Sequence, residues 1–232
     1  MTAKIISCIN QKGGSGKSTV AMTLAPSFGE RGYKVLVIDG DMQGTAMQWY
    51  SSVPEGEKFA AVVVNLSHAG EKIGAAMQAH RSEYDIIIID TPGSLRDKLP
   101  TAALVQSDLA LVPVLPAASD LWATAQVQEL VGQAQGMNPS LKVLLVVNQM
   151  MRTNLAEQSV AVLRSGEHPV AKAMLGTRNA YRMAAALGSS VKHGDDPKAI
   201  EESEELADEV LAVLDLPKKK KKPAAVATAA KA

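Results

Sequence analysis

Apolar positions along the 232-residue chain fall into two alternating patterns. The first is a set of short, continuous runs rich in β-branched residues. They are Ile5-Ile6-Ser7-Cys8-Ile9, Val35-Leu36-Val37-Ile38, Ala61-Val62-Val63-Val64, Ile86-Ile87-Ile88-Ile89, Leu109 to Val114 and Val143-Leu144-Leu145-Val146-Val147. The second is a set of longer stretches with helical spacing: Lys17 to Glu30, about Ala69 to Arg81, Ser119 to Gln135, Leu155 to Ser165, Ala180 to Leu187 and Lys198 to Leu214. A strand that is apolar on both faces needs cover on both faces, and helices between parallel strands supply it. The pattern therefore predicts an α/β fold, a doubly wound, mostly parallel sheet with helices on both faces. In that architecture ligands bind at the carboxyl ends of the strands. Pro26 falls inside the first helix, where it removes a hydrogen bond and crowds the preceding turn. It predicts a kink or an early end there. No internal repeat is visible, and residues 1–216 read as one domain. Residues 217–232 are almost all Lys, Pro and Ala, which predicts a disordered tail.

Composition adds three points. Aromatic residues make up 3% of the chain, so the core must be built from Ala, Val, Leu, Ile and Met. The single cysteine, Cys8, sits in the first apolar run and reads as a small buried hydrophobe with no disulfide partner. No apolar run approaches the ~18 residues of a membrane span, and the opening Met1-Thr2-Ala3-Lys4 leads straight into a strand. A cytoplasmic protein is expected. The formal net charge of zero hides a segregation. The tail carries six lysines and no acid, which leaves 18 basic and 24 acidic residues in 1–216, a net of −6. Asp195 to Leu216 holds nine of those acids against one lysine, so residues 1–194 carry 17 basic and 15 acidic residues, a net of +2.

The strongest chemical signal is Lys12-Gly13-Gly14-Ser15-Gly16-Lys17-Ser18-Thr19, between the first strand and the first helix. Glycines there let successive backbone N–H groups curl around phosphate oxygens, and the helix N-terminus adds its dipole. Lys17 is expected at the β- and γ-phosphates, Ser18 on Mg²⁺ and Thr19 at the α-phosphate. Gln11 occupies the first glycine position of the usual phosphate-loop pattern. The segment resembles instead the deviant Walker A motif of the ParA/MinD family, K-G-G-x-G-K-[ST]. That resemblance implies that Lys12 reaches across a dimer interface to the partner's ATP, neutralising charge as an arginine finger does.

Further segments extend the resemblance. Asp39-Gly40-Asp41-Met42-Gln43 is similar to the family's D-x-D-P-Q segment, with Met42 at the usual proline. Acids at i and i+2 project the same way from an extended backbone. Asp41 is expected to orient the attacking water, and Asp39 to support Mg²⁺ or a Mg²⁺-bound water. Ile86 to Gly93 reads as a Walker B strand with Asp90 directed at the metal and Thr91-Pro92-Gly93 as a γ-phosphate sensor. Asn148, after the sixth strand, resembles the adenine-contacting asparagine. No N-K-x-D signature follows it, which favours ATP over GTP. Val112 to Pro116, with Ser119-Asp120-Leu121-Trp122, resembles a segment bordering nucleotide and dimer interface. Trp49 and Gly188-Ser189-Ser190-Val191 fit the small single-domain ParA group.

That resemblance covers about residues 4 to 214. It implies an ATP-dependent homodimer that binds nonspecific double-stranded DNA of the nucleoid. A ParB-like or cargo-adaptor protein would stimulate hydrolysis and so position a plasmid, chromosome or large cytoplasmic cargo. Candidate phosphate contacts are Arg152, Lys172, Arg178, Arg182 and Lys192, with Arg178 and Arg182 spaced to share a helix face. A MinD-like membrane cycle would need a C-terminal amphipathic helix, which the Lys-Pro-Ala tail lacks. An iron–sulfur reductase of the same superfamily would need paired cysteines. A small-molecule synthase using ATP would show activity without DNA or partner.

Overall fold

The computed structural model describes residues 2–94 and 97–219, with backbone alone for residues 118–125. Six strands form one sheet: β1 (Lys4–Cys8), β2 (Val35–Asp39), β3 (Val62–Asn65), β4 (Ile86–Asp90), β5 (Leu109–Val114) and β6 (Lys142–Val147). Their order is β3-β2-β4-β1-β5-β6, and every pairing is parallel. The eight α-helices among the described residues are α1 (Lys17–Glu30), α2 (Thr45–Ser51), α3 (Ile73–His80), α4 (Lys98–Gln106), α5 (Ala118–Met137), α6 (Asn154–Arg164), α7 (Asn179–Ala186) and α8 (Pro197–Val213).

Alternation along the strands sorts side chains into two layers. Ile6, Cys8, Ile86 and Ile88 share one cluster with Val20, Leu24 and Phe28 of α1 and with Leu206, Val210 and Leu211 of α8. Ile5, Ile87 and Ile89 face the other way, onto Ile73 and Met77 of α3 and Leu99 and Ala103 of α4. Beyond them, Val112, Val114, Val143 and Leu145 pack on Val127, Val131 and Ala134 of α5. All four isoleucines of β4 are fully buried, each a gain of about 1.5–3 kcal/mol over exposure. That is why β4 can end on a buried carboxylate.

Several boundaries follow from local chemistry. Thr153 caps α6 by accepting from Ala156 N at 3.2 Å, and Asp196 caps α8 by accepting from Lys198 N and Ala199 N, both at 3.1 Å. The expected early end at Pro26 does not occur: α1 runs through it to Glu30. Burial of Leu24, Ala25 and Phe28 around it offsets the lost bond. The expected helix from about Ala69 is a 3₁₀ turn, Gly70–Lys72, followed by α3. α2 and α4 were not foreseen in the sequence. α2 docks through Trp49, whose Nε1 donates to Ser189 O at 3.0 Å. Beside that bond a Cβ on Gly188 would lie 2.1 Å from Val53 N, so only glycine fits.

The expected disorder from residue 217 does not hold for its first three residues. Tyr33 Oη donates to Pro217 O, Lys218 pairs with Asp208 at 2.6 Å, and Lys219 Nζ sits 4.0 Å from the Tyr33 ring centroid. Residues 220–232 lie outside the described residues.

Candidate nucleotide site

A parallel sheet delivers every strand's carboxyl end to one edge. Register pairs Cys8 with Asp90 and Asp39 with Asp90. Asn10, Asp39, Asp90, Pro113 and Asn148 therefore converge without any long-range coincidence.

Asn10 starts the phosphate loop. Its Nδ2 donates to Pro113 O at 2.6 Å, and its Oδ1 accepts from Lys12 N at 2.9 Å. This buried amide ties the loop to β5 and fixes where Lys12 leaves it; sequence reading gave Asn10 no role. Gly14 and Gly16 then take left-handed conformations, with φ of 79° and 95°. Gly16 is the N-cap of α1 and has no side chain to satisfy the first-turn N–H groups, the arrangement that suits an anion. Gly13 and Gly14 face open space, and Ser18 and Thr19 are half-buried on the first turn. Ser15 is fully buried beneath the loop.

Asn148 closes the loop from β6. Its backbone N–H donates to Val114 O at 2.8 Å, and its side-chain Nδ2 donates to Ser15 O at 2.8 Å. Next to it Gln149 has φ of 54° and donates from Nε2 to Gly14 O at 3.4 Å. The asparagine expected at a base is thus also a brace for the phosphate loop.

Asp90 is fully buried, and among the described residues neither carboxylate oxygen has a hydrogen-bond partner of normal geometry. Burial, reinforced by the charges of Asp39 and Asp41, pushes its pKa up to about 7, against the Ser18 hydroxyl and the Lys17 ammonium. Such an orphaned carboxylate beside Ser18 fits a hard cation. Lys17 is buried too. Burial lowers its pKa, while Asp90 and Asp41 favour its charge. Thr91, next in the chain, donates from Oγ1 to Cys8 O at 2.8 Å, and a Cβ on Gly93 would lie 3.5 Å from Lys17 Nζ. The loop after β4 therefore lies against the phosphate loop.

Asp39 Oδ1 accepts from Asp41 N at 3.1 Å and its Oδ2 from Met47 N at 2.8 Å. Both oxygens hold the 40–47 turn and the start of α2, so Asp39 also anchors backbone. Asp41, two residues on, is half-buried, and its Oδ1 accepts from Gln43 N at 3.0 Å. Met42 is exposed.

Two of the expected DNA contacts are withdrawn by the geometry. The Lys192 side chain is nearly covered, with Nζ 2.6 Å from Glu30 and 2.9 Å from Glu204. Arg178 is the N-cap residue of α7, not part of its helical face. Its Nε and Nη2 donate to Glu202 at 2.9 and 2.6 Å. Arg152, Lys172 and Arg182 are exposed. The side chain of Asp120 lies outside the described residues.

Comparison with known proteins bears on the family and the fold. The AAA_31 family, an AAA domain, matches residues 3–73, the stretch from β1 through the start of α3. The chain is 30% identical to the maintenance of carboxysome distribution protein A of Halothiobacillus neapolitanus, over 78% of this chain and 83% of that one. It is 31% identical to the chromosome-partitioning ATPase Soj of Thermus thermophilus, over 69% and 75%. The fold matches that of apo McdA from Cyanothece with a TM-score of 0.75 at 18% identity, over 90% and 99% of the two chains. Identity at this level across most of both partners, together with a lysine-led glycine loop on a parallel sheet, means that the chain belongs to the ParA/MinD family of P-loop ATPases.

Proposed function

We propose that this protein is an ATP-dependent dimerising ATPase of the ParA type. The ATP-bound dimer binds double-stranded DNA without sequence preference, and a ParB-like or cargo-adaptor protein stimulates hydrolysis and release. By that cycle it positions a plasmid, a chromosome or a large cytoplasmic cargo such as a carboxysome or chemoreceptor cluster.

The observation that carries this reading is the placement of Lys12. Its backbone N–H is held by Asn10, and the residue is half-buried at the start of a glycine loop whose helix cap, Gly16, has no side chain. A lysine there serves a second copy's phosphates better than its own, because Lys17 already fills the inner position. Lys17 binds the β- and γ-phosphates, the loop N–H groups cradle them, and Thr19 meets the α-phosphate. Asn148 presents its remaining amide oxygen to adenine. Ser18 and Asp90 would hold Mg²⁺, which neutralises phosphate charge when bound. Asp41 orients the attacking water and Asp39 fixes Asp41 through its backbone N–H. Arg182, with Arg152 and Lys172, offers exposed cations to DNA phosphates.

Sedimentation in ATP and in ADP tests the dimer. The mass doubles with ATP only, and Lys12→Ala binds ATP but stays at monomer mass. Monomer mass for the wild type in both nucleotides overturns the reading.

A further inference from the structure

Beside Thr19 and Asn148 lies a cavity of about 150 Å³, whose far wall is Gly176, Thr177, Arg178 and Tyr181. Gly176, Thr177 and Arg178 lie in the loop before α7, and Tyr181 lies in the first turn of α7. Thr177 N ties the wall to Met150 O at 3.0 Å, and one carboxylate of α8 gathers three of its residues. Glu202 Oε2 accepts from Gly176 N at 2.9 Å and from Tyr181 Oη at 3.0 Å. Its two oxygens also accept from Arg178 Nε at 2.9 and 3.0 Å, and Oε1 accepts from Arg178 Nη2 at 2.6 Å. The grip is close: a Cβ on Gly176 would lie 3.2 Å from both Glu202 Oε1 and Arg178 Nε.

The wall is coupled onward. Thr177 donates from Oγ1 to Gln149 O at 2.9 Å, and Gln149 reaches Gly14 O in the phosphate loop. Arg178 Nη1 also lies 3.8 Å from Asp196 Oδ2, so Glu202 and Asp196 together neutralise the cation that lines the cavity. Paired with Glu202 it presents a planar, charge-balanced surface, which suits an uncharged purine. Glu202 and Arg178 bond within the wall and α8, and their link to the glycine loop is indirect, through Thr177 and Gln149.

We infer that Glu202 is a positioning residue for the nucleotide's base: it acts through Arg178 and Gly176 to set the wall against which the base rests. The inference rests on the nucleotide reading of the site and adds to it a base-specific role for α8, the acidic helix at the end of the domain. Glu202→Gln is the sharp probe. It keeps the shape but puts an amide donor where Arg178 needs an acceptor, so the clamp opens.

The experiment is calorimetric titration of wild type and E202Q with ATP, GTP and inorganic tripolyphosphate, each with Mg²⁺. Wild type prefers ATP to GTP. E202Q loses about tenfold or more in ATP affinity, and its preference for ATP over GTP falls, while tripolyphosphate binds as before. A parallel loss for ATP and tripolyphosphate means general loosening of the fold and overturns the inference. Unchanged ATP affinity overturns it too. Should E202Q not fold, Arg178→Gln opens the clamp from its other end and is held to the same outcomes. A wild type that binds neither ATP nor tripolyphosphate overturns the nucleotide reading itself, and this inference with it.

Discussion

Asn148 and Gly16 occupy space that only this pair can share. Asn148 Nδ2 donates to Ser15 O at 2.8 Å, and a Cβ on Gly16 would lie 1.9 Å from the same nitrogen. Gly16 also has φ of 95°, which side chains rarely adopt. Gly16→Ala therefore combines backbone strain with loss of the brace. An ATP affinity lower by about 100-fold or more is expected by calorimetry. Asn148→Ala leaves Ser15 O unpaired in a buried setting. It is expected to lower stability by about 1–2 kcal/mol in urea unfolding and to weaken ATP about tenfold.

Asp41 and Asp39 separate by role. Asp41→Ala removes a group two residues past the strand end without touching the bonds of Asp39 to Met47. Expected is ATP binding within a few-fold of wild type and hydrolysis slower by at least about 100-fold in a phosphate-release assay. Asp39→Ala removes acceptors for Asp41 N and Met47 N, so it is expected to lower the melting temperature as well as turnover.

The sheet was legible because continuous runs such as Ile86–Ile89 have one comfortable place, between two helical layers. The phosphate loop was legible because its glycines and lysine serve chemistry that tolerates few substitutes. Side-chain allegiances were not. Nothing in the local sequence tells that the Lys192 side chain is nearly covered, between Glu30 and Glu204, or that Arg178 is claimed by Glu202. Those partners lie on other elements, and their proximity exists only after the helices pack. The backbone role of Asp39 was hidden for a related reason: Met47 N, eight residues on, meets its second oxygen only once α2 has formed. Pro26 misled because local propensity is outweighed by burial of the whole α1 face.

A partly buried ionic cluster ties stability to pH on the acid side. Glu204 meets Lys192 at 2.9 Å and Arg31 at 3.1 Å. Burial alone would raise the pKa of Glu204, but Lys192 and Arg31 outweigh it and hold it below the ordinary value of 4.5. A depressed carboxylate stabilises the fold above its unfolded-state pKa, and that stabilisation is lost as pH falls through the lower folded-state value. Glu204→Gln is expected to cost about 2 kcal/mol at pH 7, where a nearly buried lysine loses one partner. The difference from wild type should shrink as pH falls below about 4.5, because protonated Glu204 resembles glutamine. A gap between the two urea-unfolding curves that stays constant down to pH 3 would contradict this account.

The central claim is that nucleotide state governs DNA binding, and co-sedimentation with nonspecific double-stranded DNA tests it most directly. The full chain is mixed with DNA in ATP, in ADP and without nucleotide, at two salt concentrations. The account predicts pelleting with ATP alone, weakened by higher salt as phosphate contacts are screened, and weakened at fixed salt by Arg182→Ala. Equal pelleting in all three nucleotide states would contradict it.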